Sequence, residues 1–94
     1  MDETQLDSYT RRIFHLLACE DPAHPNVHFL LRLREDVRRT LMKSDHACDL
    51  SEETTGRHLT EAVRRFAREF PMEEVLGGWH VGDIYEKIAV YIGI

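Results

Sequence analysis

A chain of 94 residues with 43% hydrophobic and 31% charged side chains has the composition of a small globular protein, which excludes intrinsic disorder. Its net charge of −5 argues against non-specific nucleic-acid binding, which needs a basic surface to displace counterions from phosphates. The longest apolar run falls far short of the ~20 residues of a membrane span, the acidic start is unlike the basic head of a signal peptide, and two cysteines give no disulfide framework; the expectation is one soluble, cytoplasmic domain over residues 1–94.

The first segment, Thr4 to Ala18, places Leu6, Tyr9, Ile13, Leu16 and Leu17 on one face at helical spacing. Thr4 or Asp2 supplies a side-chain oxygen for the orphan amides of its first turn. Pro22 and Pro25 then impose a rigid turn, because proline lacks an amide hydrogen and biases its predecessor away from the helical region. A second helix is expected from an Asn26 cap to about Lys43, with a stripe of Leu30, Leu33, Val37 and Leu41 widened by Leu31 and Met42. Phe29 falls off that stripe, toward the proline turn.

The third segment carries the strongest signal. Ser51 stands at the N-cap, Glu52 and Glu53 suit the positive end of the helix dipole, and Leu59, Val63, Phe66 and Phe70 recur at spacings of 4, 3 and 4 before Pro71 ends the run. Gly56 weakens it by ~1 kcal/mol relative to Ala and marks a break or a later start. Met72, Val75 and Leu76 allow one short turn of helix before the Gly77-Gly78 pair. The last segment, Gly82 to Tyr91, repeats Ile84, Ile88 and Tyr91 at helical spacing, while the β-branched and aromatic run from Ile88 to Ile94 admits a short irregular or β-like stretch paired with residues 79–81. Helix is preferred there, because an isolated two-stranded ribbon is marginal in water. The expected fold is an all-α, compact four-helix bundle.

No motif fixes a substrate or a nucleophile. Six histidines and two cysteines raise the question of zinc, which takes nitrogen and sulfur ligands in a tetrahedral set. His15 and Cys19 lie four apart opposite the apolar stripe of the first helix, and His46 and Cys48 lie in a neighbouring turn, so these four form the candidate set. No paired C-x-x-C accompanies them, and exposed imidazoles with a half-buried thiol account for the same residues. No segment supplies a Cys-His pair oriented by a third group, and the expectation is a protein without catalytic activity.

Arg57, Arg64, Arg65 and Arg68 line the polar side of the third helix, and Arg32, Arg34, Arg38 and Arg39 cluster on the second. Their guanidinium groups suit an acidic or phosphate-bearing partner bidentately, although interleaved acids provide intrahelical ion pairs as well. Trp79, beside the glycine pair and near His80, Tyr85 and Tyr91, either closes the bottom of the core or presents an aromatic patch; burial is preferred.

One family echo lies in the last third. Glu61, Val63 and Arg68-Glu69-Phe70, followed by Val81-Gly82-Asp83-Ile84 and Tyr91-Ile92, resemble the second half of acyl and peptidyl carrier proteins. The resemblance implies a small four-helix bundle and a phosphopantetheine-bearing serine at the head of the third helix. The family's Asp-Ser-Leu attachment site reads Thr55-Gly56-Arg57 here, Ser51 is the nearest serine, and the helix face is Arg-rich where carriers are acidic. The functional expectation is therefore a protein–protein interaction module, acting through the charged faces of the two central helices or the aromatic C-terminal region and able to gain from homodimer formation because its core is small; carrier-like, zinc-binding and nucleic-acid-binding roles stand as the alternatives.

Overall fold

The computed structural model describes residues 2–19, 28–43 and 51–93, and within them the chain is all α. Five helices follow in order: α1 (Glu3–Ala18), α2 (Phe29–Met42), α3 (Glu52–Glu69), α4 (Met72–Gly78) and α5 (Val81–Ile92). Four long helices match the expected bundle, and α4 is the short turn after Pro71, extended so that Gly77 and Gly78 form its last turn. No strand occurs among the described residues. The β-like alternative for the C-terminal segment gives way to helix through Ile92: Ile84 and Ile88 are fully buried while Glu86 and Val90, which a strand would place on the same face, are exposed.

Local chemistry sets the ends. Asp2 caps α1 in a reciprocal box: its carboxylate accepts from the Gln5 amide at 2.8 Å while its own amide donates to the Gln5 side chain at 3.4 Å. Ser51 caps α3 by accepting from the Thr54 amide at 3.2 Å. The α3 helix runs unbroken through Gly56, since eighteen residues of amphipathic pattern outweigh one unfavourable position. The start of α2 differs from expectation: His28, not Asn26, is the cap, its Nδ1 accepting from the Leu31 amide at 3.3 Å. Asn26, Pro22 and Pro25 lie outside the described residues. At the far end Gly93 takes φ 90°, the left-handed geometry that glycine adopts without a Cβ penalty, and terminates α5.

The core draws on every helix. Tyr9, Ile13 and Leu17 of α1, Leu33 and Val37 of α2, Leu59, Val63 and Phe66 of α3, Val75 of α4, and Ile84 and Ile88 of α5 form one buried cluster. Helix α3 sits at its centre, touching α1, α2 and α5. Two expectations for α2 need correction. Leu31 and Met42 are exposed at 54% and 64% and do not widen the stripe. Phe29 is buried instead, its ring 5.2 Å from that of Tyr85, with Gly82 close beneath it, so the inward face of α2 is rotated toward α5. That rotation also carries Asp36 inward, where the Tyr85 hydroxyl donates to its Oδ2 at 3.3 Å and Arg39 stands 3.6 Å from its Oδ1. A carboxylate only 9% exposed is tolerable because both oxygens have partners.

Candidate functional site

A cleft of about 240 Å³ with an apolar floor lies between α2, α3 and α5. Its floor consists of Val37 and Leu41 from α2, Ala62 from α3 and Ile92 from α5. Val37 and Ala62 are core residues, so the floor is an open edge of the core rather than a separate patch. Along α3 the rim is His58, Glu61 and Arg65, placed together by their spacing of 3 and 4; Thr40 and Tyr91 face them. Tyr91 donates to Glu69 Oε2 at 2.5 Å, and that hydrogen bond, with some burial, raises its phenol above the ordinary range, while the positive charge of Arg65 opposes the shift. Thr40 donates back to the Asp36 carbonyl at 2.9 Å, so its hydroxyl proton is already committed within α2.

The four α3 arginines of the sequence reading separate into two environments. Arg65 belongs to the cleft. Arg57, Arg64 and Arg68 share a different face, together with Thr60 and Glu61. On that face Arg64 is not available as a surface charge: it donates to Asp7 at 2.7 Å and to Glu3 at 2.9 Å, both on α1, and these two carboxylates raise its pKa further. Arg57 stands 3.6 Å from Glu53 one turn back. On α2, Arg34 reaches Glu52 of α3 at 3.7 Å and Arg39 pairs within its own helix, so part of the expected charged face serves the fold.

Trp79 is half-buried at the base of the bundle, edge-on to Phe66 at 5.7 Å and to Phe70 at 5.1 Å. This is the preferred closing role, with Phe66 and Phe70 stacked on each other above it. His15 is exposed on α1 and Cys19 is exposed at its C-terminal cap; His46 and Cys48 lie outside the described residues, within which no three His, Cys, Asp or Glu side chains group as a metal site. Ser51 uses its oxygen as the α3 cap and donates to the Thr54 hydroxyl at 3.1 Å, while at Gly56, one turn into the same helix, a Cβ would meet nothing within 4 Å.

Sequence reasoning missed the cleft itself. His58, Glu61 and Arg65 are visible as one helical edge, but Thr40 and Tyr91 join them only through packing between helices far apart in the chain. The comparisons with known proteins give no matching family model, no matching curated protein and no matching solved structure. No helix among the described residues is long and apolar enough to cross a membrane.

Proposed function

We propose that this chain is a non-catalytic protein–protein interaction module whose receiving surface is the α2–α3–α5 cleft. The carrying observation is the cleft's size and make-up: about 240 Å³ is below the ~300 Å³ at which small-molecule pockets begin, and suits a single large apolar side chain. Such a side chain, laid on Val37, Leu41, Ala62 and Ile92, would continue the core, while His58, Glu61, Arg65 and Tyr91 offer donors and acceptors to its flanking backbone and polar neighbours. This matches the anatomy of a binding hot spot, an apolar anchor ringed by polar groups. The reading assigns the chain no zinc, no phosphopantetheine and no nucleic acid, and its partner is another protein or a second copy.

Selection of a displayed peptide library on the purified protein tests it. Enriched peptides are expected to share one large apolar residue and to lose binding to a Thr40→Trp variant, which fills the cleft from its half-buried rim without entering the core. Enrichment of nothing, or of peptides that bind Thr40→Trp as well as wild type, would reject the cleft as the receiving surface.

A further inference from the structure

A second concavity stands away from the cleft, between the outer face of α1 and α4. Ser8, Arg11, Arg12 and His15 line it from α1, with Leu16 and Leu76 forming an apolar ledge, and its volume is about 430 Å³. Its lining contains no carboxylate, on a chain whose net charge is −5. The cause lies in how α1 distributes its acids. Glu3 and Asp7, on the α1 row that leads to Arg11, are paired with Arg64 of α3 and do not line the recess, and Asp2 is occupied as the cap. Glu74 of α4 is near enough to α1 to act on the Tyr9 phenol but does not line the recess. Arg11 and Arg12 are both exposed and take part in no ion pair among the described residues.

We propose that this recess binds an acidic segment of a partner protein, with carboxylates on Arg11 and Arg12 and an apolar side chain on the Leu16–Leu76 ledge. Adjacent guanidinium groups match carboxylates through paired N–H donors, which fixes orientation as well as charge. The His15 imidazole and the Ser8 hydroxyl add further hydrogen-bonding positions beside them. A polyanion fits less well: a few cations release few counterions, and the negative remainder of the chain repels an extended phosphate backbone. A short acidic segment meets only the recess, so the surrounding negative charge selects register instead of opposing binding. The inference is independent of the cleft and does not use its residues.

A fluorescein-labelled peptide of Glu-Leu-Glu repeats is the probe, followed by anisotropy and by amide chemical shifts of the full chain at low ionic strength. The expected result is a set of shifts confined to Ser8–Leu16 and Leu76, and binding about tenfold weaker both for the peptide with Gln in place of Glu and for the Arg11→Gln/Arg12→Gln double variant. Arg38→Gln, an exposed charge on α2, leaves binding unchanged. If the double variant fails to fold by circular dichroism, Arg11→Lys/Arg12→Lys carries the test, because it keeps the charge but removes the fork, and weaker binding is expected. Equal binding by the Gln peptide, unchanged affinity in whichever arginine variant is used, shifts centred on α3, or the absence of binding each overturns the proposal. So does tighter binding of oligothymidine or inorganic phosphate at the same amides, which would reassign the recess to phosphate.

Discussion

Thr55 is fully buried on α3, and its Oγ1 is a buried side-chain oxygen without a hydrogen-bond partner among the described residues. An unpaired buried hydroxyl carries a desolvation cost of roughly 1–3 kcal/mol, so the near-isosteric Thr55→Val is expected to raise stability by about 1 kcal/mol in urea unfolding. A loss of stability would show that the hydroxyl has a partner in solution. Tyr9 presents the opposite case: buried, yet satisfied, its hydroxyl donating to the Phe70 carbonyl at 3.1 Å. Burial, assisted by the negative charge of Glu74, pushes its phenol from 10.0 up to about 12. Both folded and unfolded states hold the proton below pH 10; between 10 and 12 the unfolded chain gives it up first, so stability is full below pH 10 and falls by about 2–3 kcal/mol toward pH 12. Tyr9→Phe should lose about 1 kcal/mol at neutral pH and show a shallower alkaline decline, both readable from denaturant midpoints.

At the scale of elements, the helices were legible in the sequence to the extent that their stripes are periodic. The α3 face of Leu59, Val63 and Phe66 is buried as its spacing predicts, and so are Leu6, Tyr9, Ile13 and Leu17 on α1. Helix α2 misled because its apolar residues nearly encircle it: periodicity shows that Phe29, Leu31 and Leu33 are apolar, not which of them faces a neighbour, and only the position of α5 decides for Phe29 and Asp36. The cleft was illegible for the same reason, being a product of three helices, and the Arg64 partners were illegible because these carboxylates lie 57 and 61 residues away and not within its own helix. Gly56 is the element's weak point. It lies inside α3 with open space around its missing Cβ, so Gly56→Ala should stabilise the helix by about 0.5–1 kcal/mol, seen as a higher melting temperature without change in the cleft. A decrease would mean that the backbone there is not an ordinary helix interior.

For the molecule as a whole, Arg64 is the polar fastening of α1 to α3. Its pairs with Glu3 and Asp7 sit at the surface, where water and salt weaken them, so Arg64→Ala is expected to lower the melting temperature by a small amount that shrinks as salt is added. A decrement independent of salt would point instead to lost packing of the aliphatic stem. The same substitution frees Glu3 and Asp7 on α1, yet the cleft, built from α2, α3 and α5, should retain its shape.

The Tyr9–Phe70 bond and the Arg64 pairs also bear on the order of assembly. They join residues 57 to 61 apart, whereas the ladders within each helix join residues four apart. Closing so long a loop costs chain entropy before any contact repays it, and the Tyr85–Asp36 bond between α5 and α2 spans nearly as long a loop, 49 residues, so both sets of polar contacts should form late, after the helices they join. Weakening either late contact, by Tyr9→Phe or Arg64→Ala, should then leave the refolding rate nearly unchanged and accelerate unfolding, so that these bonds govern how long the folded chain persists more than how fast it forms.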